Sequence, residues 1–205
     1  MTEPLKIGVL ASHGGSNMQA IIDAIESGRL AARIVLVISN NSQSGALDRA
    51  RKHGLPWRRL SSATHSREEA LDLAIRDALA EAGVEVALLA GYMKKIGPAT
   101  LAAYRGRILN IHPALLPRHG GPGMYGIKPH QAALAAGDTE SGATVHVVDE
   151  EYDRGPILKQ ERVPVLPGDT PETLQQRVLK VEHQIYAAAL EDIIAGRIKL
   201  PVEAS

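Results

Sequence analysis

The chain contains no cysteine. Disulfide staples, a Cys-ligated zinc and a thiolate nucleophile are therefore excluded. It also lacks net charge, because 23 Lys plus Arg balance 23 Asp plus Glu. A neutral chain gives no electrostatic argument for a nucleic acid or an anionic membrane as partner. The apolar run VEVALLAGYM, residues 84–93, is about half the span a transmembrane helix needs. The N-terminal stretch MTEPLKIGVLAS has Glu3 and Pro4 where a signal peptide would carry basic residues. Asn40-Asn41-Ser42 matches the glycosylation pattern, which means nothing without secretion. There is no repeat and no low-complexity tail. A cytoplasmic protein is expected.

What is present is a regular alternation of elements. The 205 residues suit a single domain with a sizeable core, with 1–112 and 113–205 as its two halves. KIGVLAS (6–12), RIVLVISN (33–40), VEVALLAG (84–91) and RILNIHP (107–113) read as strands, with a further short strand near Trp57. SNMQAIIDAIESG (16–28) reads as a helix with Met18, Ile21, Ile22 and Ile25 on one face, and GALDRARKHG (45–54) as a second. SREEALDLAIRDALAEAG (66–83) reads as a helix opened by a capping box from Ser66 to Glu69. Pro98 begins a short helix over 97–106. Strand and helix alternating at this spacing predict an α/β fold, a mostly parallel twisted sheet flanked by helices.

Beyond Pro113 the texture changes. Residues 117–129 hold four glycines and three prolines and read as a loop long enough to be functional. A short helix is expected from His130 to about residue 136. Residues 142–165 alternate like two antiparallel strands joined around DEEYDRG, and a long final helix is expected over 170–195. In that helix Val178, Val181 and Ile185 would face the core, leaving Glu182 near the edge of the face.

Three places could carry chemistry. SHGGSN (12–17) lies between the first strand and the first helix. Gly14 and Gly15 allow a tight turn, and the N–H groups of Gly15, Ser16 and Asn17 would favour an anion such as a monophosphate. It is neither GxGxxG nor a Walker A loop. The plain alternative is a glycine turn with Ser16 as N-cap. Asn110 and His112 stand two apart at a strand end, so their side chains project together. Their plain alternative is an edge amide and a turn histidine. Asp153 lies in the acidic turn 149–153, ordinarily a solvated loop. Beside His112 its carboxylate would stabilise the imidazolium and raise the histidine pKa. A metal held by Asp153, His112 and His146 has no supporting ligand spacing. His146, in the run ATVHVV, reads as a satisfied core histidine, and the other histidines share no spacing.

Taken together, GGSN (14–17), LAGYM (89–93), NIHPALLP (110–117), SGATVH (141–146), DRGPI (153–157) and EHQIY (182–186) resemble one family along nearly the whole chain: the glycinamide ribonucleotide formyltransferases. The resemblance implies a Rossmann-like formyltransferase fold with a C-terminal antiparallel segment and a long last helix. It implies transfer of a formyl group from 10-formyltetrahydrofolate to the amine of glycinamide ribonucleotide in purine synthesis, without a metal. By the same resemblance Gly15, Ser16 and Asn17 would hold the substrate phosphate, and Glu182 would face its glycinamide end. Asn110, His112 and Asp153 would be the catalytic trio. Arg67, Met93, Lys94, Lys95, Ile96, Asp149, Asn110 and Asp153 would serve the folate. Two features depart from the family's common form. Met93-Lys94-Lys95-Ile96 stands where Met-Arg-Ile-Leu is usual, and the 118–129 loop is longer.

The implied chemistry uses the substrate amine as nucleophile, with Asn110 and a protonated His112 as donors to the oxyanion. Two relatives share parts of the pattern. Methionyl-tRNA formyltransferase adds a C-terminal tRNA-gripping domain, which neither the length nor the charge of this chain suits. Formyltetrahydrofolate hydrolase adds an N-terminal domain, where a first strand at residue 6 leaves no room. A nucleotide-binding module without turnover is the reading from another class, and the Asn110, His112 and Asp153 set weighs against it. Oligomeric state, a homodimer included, is left open by the sequence.

Overall fold

The computed structural model describes residues 3–202; Met1 and Thr2 of the N-terminal stretch and residues 203–205 lie outside the described residues. In chain order the elements are β1 (Leu5–Ala11), α1 (Ser16–Glu26), β2 (Ala32–Ser39), α2 (Gly45–Lys52), β3 (Trp57–Arg59), α3 (Glu68–Glu81), β4 (Val86–Leu89), α4 (Pro98–Ala103), β5 (Ile108–His112), α5 (Lys128–Ala135), β6 (Glu140–Val147), β7 (Ile157–Pro164) and α6 (Pro171–Ile194). The seven strands form one sheet in the order β3-β2-β1-β4-β5-β6-β7. β1 pairs in parallel with β2 and β4, and β2 with β3, whereas β6 and β7 are antiparallel. This is the mostly parallel α/β sheet with an antiparallel end and a long last helix that the sequence predicts. Contacts divide the chain into two compact units, one ending at Leu109 and one starting at Asn110.

In the first unit β1 is the central strand. Ile7, Val9 and Leu10 are buried, as the unbroken apolar run requires of a strand covered on both faces. Gly8 lets α3 approach closely, because a Cβ there would lie 2.8 Å from Leu79 and 2.9 Å from Val84. Since β2 and β4 flank β1, the strand order reverses there. The loops leaving the carboxyl ends of β1 and β4 are therefore neighbours, the usual place for a ligand in such sheets.

α3 corrects one sequence expectation. It starts at Glu68 rather than Ser66, and its N-cap, Arg67, makes no side-chain cap bond. The residues before it are committed elsewhere: the N–H groups of Thr64 and His65 both donate to the Ser61 carbonyl, closing a turn that ends short of the helix. α4 is capped from a distance instead. The buried Asp72 carboxylate accepts from the N–H groups of Ala99 (2.7 Å) and Thr100 (3.0 Å).

In the second unit α6 packs on both β6 and β7. A capping box opens it: Thr170 Oγ1 accepts from the Thr173 N–H at 3.3 Å, and Thr173 Oγ1 accepts from the Thr170 N–H at 2.9 Å. Its buried stripe is Leu174, Val178, Glu182, Ile185, Tyr186 and Leu190. Residues four apart lie one above another on a helix, so Glu182 sits within the core stripe rather than at its edge, and Val181 is only half-buried. α5 begins at Lys128, two residues before the expected start.

Candidate active site

The second unit assembles its polar cluster at the end of β5. The strand places Asn110 and His112 two residues apart, His112 beside the Asp153 carboxylate and Asn110 beside the His146 ring. His112 Nδ1 lies 3.6 Å from Asp153 Oδ2, and His146 Nε2 lies 3.4 Å from Asp153 Oδ1. His146 Nε2 is also 3.1 Å from the Asn110 side-chain nitrogen. The two rings are almost fully buried, His112 at 3% and His146 at 2% exposure.

His146 is thus more than the satisfied core histidine the sequence suggests. Its apolar strand neighbours do bury it, but Thr144 and His146 share one face of β6, and that face is polar. Thr144 Oγ1 donates to the Ala114 carbonyl (2.6 Å) and accepts from the Leu116 N–H (3.2 Å). Gln160 adds donors to the Leu116 carbonyl (3.0 Å) and to Thr144 Oγ1 (2.9 Å). These contacts hold the turn that Pro113 opens after His112. The signal was legible as period-two alternation of Thr144 and His146 opposite an apolar set.

The hydrogen-bond partners fix the ring tautomers. A backbone carbonyl only accepts. His146 Nδ1 is 2.9 Å from the Val147 carbonyl and so carries a hydrogen. In the neutral ring Nε2 then accepts from the Asn110 amide, which leaves the second amide N–H for another acceptor. His112 Nε2 is 2.9 Å from the His119 carbonyl and donates to it. Nδ1 is therefore the His112 nitrogen left for proton transfer, and it faces Asp153.

The electrostatics reverse one expectation. Burial lowers the His112 pKa, and although the Asp153 carboxylate pushes it up, burial wins. The ring is neutral at rest. Burial also opposes ionisation of Asp153, but a hydrogen bond from the His146 ring and the charge of the His112 ring, each when that ring is cationic, and the Gly121 N–H at 2.8 Å together hold its carboxyl below the usual value. The site pairs an ionised carboxylate with a neutral imidazole that becomes an acceptable cation only beside it. Gly120 makes room for this, since a Cβ there would lie 2.4 Å from Leu116 and 3.2 Å from Asp153 Cβ.

In the first unit the turn after β1 has the features of an anion cradle. Gly15, with φ +68°, is the N-cap of α1 and makes no side-chain cap bond, so Ser16 is not the cap. A Cβ on Gly15 would lie 2.9 Å from Ala46 Cβ. Arg49 supports the turn from α2, its Nε donating to the Gly14 carbonyl at 2.8 Å. Ser12 ties this turn to the segment after β4: its N–H donates to the Gly91 carbonyl (3.0 Å), and its Oγ accepts from the Met93 N–H (2.8 Å) and donates to Asn40 Oδ1 (2.7 Å). Sequence reasoning missed Ser12, whose signal was its place on the first residue beyond a central strand.

The other expected contacts are scattered in character. Met93, Lys94 and Lys95 are exposed, and Ile96 is buried. Arg67 extends into solvent against Glu69 (2.8 Å). Asp149 accepts from the Glu151 N–H (3.0 Å), closing the acidic turn. Asn17 and Glu182 are buried. Among the described residues no group of three or more His, Asp or Glu is placed to hold a metal ion.

Comparison with known proteins gives this arrangement a context. The model of the Formyl transferase family matches residues 5–190. The chain is 43% identical over 195 residues to the chloroplastic phosphoribosylglycinamide formyltransferase of Arabidopsis thaliana, covering 95% of this chain and 67% of that protein. It is 41% identical over 195 residues to the phosphoribosylglycinamide formyltransferase of Haemophilus influenzae, covering 95% and 90%. It superposes on the crystal structure of glycinamide ribonucleotide transformylase 1 from Symbiobacterium toebii with a TM-score of 0.91 at 39% identity, covering 98% of this chain and 92% of that one. The chain spans 62% to 67% of the plant relatives and 14% to 19% of the animal trifunctional purine proteins that it matches.

Proposed function

We infer the activity of a chain that belongs to the phosphoribosylglycinamide formyltransferases, within the Formyl transferase family: it formylates the amine of glycinamide ribonucleotide for de novo purine synthesis. The formyl donor we propose is 10-formyltetrahydrofolate, in a cytoplasmic setting and with no metal. The observation that carries the reading is the convergence of His112 and His146 on Asp153 in the second unit, with the Asn110 amide against His146.

The donor supplies an electrophilic formyl carbon and the acceptor amine supplies the nucleophile, so the protein needs none of its own. Attack forms a C–N bond and moves the carbonyl electron pair onto oxygen. Asn110, its amide aimed by His146, donates an N–H to that oxyanion. The attacking nitrogen becomes cationic, and neutral His112 takes its proton on Nδ1, the nitrogen not engaged by the His119 carbonyl. The resulting imidazolium is stabilised by the ionised Asp153. It returns the proton to the departing donor nitrogen as the second C–N bond breaks. The lowered His112 pKa thus suits a proton acceptor at neutral pH. It replaces the protonated donor that the resemblance implies.

In the first unit the N–H groups at the start of α1 are proposed to hold the substrate phosphate, with Gly15, Ser16 and Asn17 as the cradle. Met93, Lys94, Lys95, Ile96, Arg67 and Asp149 are proposed for the folate, and Glu182 for the glycinamide end. A formyl-transfer assay with glycinamide ribonucleotide as acceptor, beside water-only and tRNA controls, tests the reading. Formylation of the ribonucleotide alone is expected. Formate release with water, or formylation of tRNA alone, would overturn it.

A further inference from the structure

Among the described residues two that are not glycine have positive φ, His119 at 53° and Asp153 at 57°. Such positions are strained for a residue with a Cβ and persist only where the surroundings impose them. Both lie at the same cluster. The turn that contains His119 grips the catalytic pair from one backbone: the His119 carbonyl accepts from His112 Nε2 (2.9 Å), and the Gly121 N–H donates to Asp153 Oδ2 (2.8 Å). Two residues of loop thus set the azimuth of the ring and the position of the carboxylate together.

Something must hold that turn, and it is a buried carboxylate outside the cluster. Asp138 follows α5, its N–H donating to the Ala133 carbonyl (3.1 Å), and its side chain is only 6% exposed. Its Oδ2 lies 2.6 Å from His119 Nε2, and its Oδ1 accepts from Arg118 Nη2. We propose that Asp138 is a positioning residue for the His112–Asp153 pair, acting through the His119 imidazole and the 118–121 turn. Anchored at its ring, His119 keeps the left-handed backbone that turns its carbonyl toward His112. Released, it relaxes to negative φ, and the carbonyl swings off the ring. Asp138 touches neither His112 nor Asp153, so its effect passes through geometry. The inference rests on the transferase reading for its kinetic consequence, and on structure alone for its effect on the His112 ring.

The test compares the wild type with Asp138→Ala and with His119→Ala, which removes the ring that Asp138 anchors and has no polar side chain to favour left-handed backbone. Side-chain ¹⁵N NMR of the unliganded protein reads the His112 tautomer, and steady-state kinetics read kcat and KM for both substrates. Wild type is expected to show a slowly exchanging His112 Nε2–H, and both variants to lose it. Turnover is expected to fall about tenfold in each, with both KM values within about twofold of wild type. A folded variant that keeps the His112 signal and full turnover while losing only thermal stability would reduce Asp138 to an ordinary ion pair. If wild type transfers no formyl group, the transferase reading fails, and the NMR arm still decides the positioning role: retention of the His112 signal in Asp138→Ala, or in His119→Ala should the former not fold, overturns it.

Discussion

The Asn110 side-chain nitrogen lies 3.1 Å from His146 Nε2, and that contact converts a strand-end amide into an aimed donor. An asparagine amide can rotate, and its nitrogen and oxygen can exchange places. His146 removes that freedom because its Nδ1–H is committed to the Val147 carbonyl, which leaves Nε2 to accept. The amide must then present nitrogen to the ring and its second N–H elsewhere.

His146→Ala is therefore expected to lower turnover by about 10- to 100-fold while changing KM little, the effect of a donor left unaimed. Kinetics on protein shown folded by circular dichroism check this. Unchanged turnover in a folded variant would return His146 to the purely structural role its apolar strand suggests.

The turn after β1 makes a different kind of prediction. Ser16→Ala is expected to weaken glycinamide ribonucleotide binding only a few-fold, because the main-chain donors survive the loss of the hydroxyl. Gly15→Val has to adopt φ +68° with a Cβ 2.9 Å from Ala46, so it should abolish measurable binding. Calorimetric titration of both variants separates the cases, and equal effects would count against a backbone cradle.

His130 supplies a pH test of the core. It is fully buried on α5, and burial first, with the nearby His112 ring second, pushes its pKa down to about 4. Its ordinary value is 6.5. The unfolded chain therefore binds the proton first, so stability is intact above pH 6.5 and declines as pH falls from 6.5 toward 4. The loss amounts to about 3 kcal/mol once both states are protonated. His130→Leu is expected to flatten the fall in thermal midpoint over that window relative to wild type. Parallel curves for the two proteins would mean that His130 is no acid-sensitive point.

Much of the fold was legible because its signals are local and periodic. The apolar run of β1, the alternation along β6 and the apolar face of α1 each depend on residues within a few positions. The same locality placed Asn110 and His112 on one side of β5. Most of the failures at the site are tertiary. The His112 pKa direction depends on burial by distant elements, which the neighbouring carboxylate could not reveal. His146 reads as core from its strand neighbours, and only folding sets it against Asn110, 36 positions away. The face expected from Val178, Val181 and Ile185 sets Glu182 at its edge, whereas the buried stripe runs along Leu174, Val178 and Glu182. His119 and Asp138 carry no motif, and their pairing becomes visible only when α5 brings the chain back.

The most direct measurement of the proposed chemistry is made on Asn110→Ala, with turnover, substrate affinity and thermal midpoint determined on one preparation. Loss of a single oxyanion donor lowers turnover by roughly 10²–10³, or about 2.7–4 kcal/mol of barrier. Because the oxyanion exists only in the transition state and intermediate, glycinamide ribonucleotide affinity is expected to stay near that of wild type. A well-folded Asn110→Ala protein with near-normal turnover would contradict the assignment of this amide to the reacting oxygen.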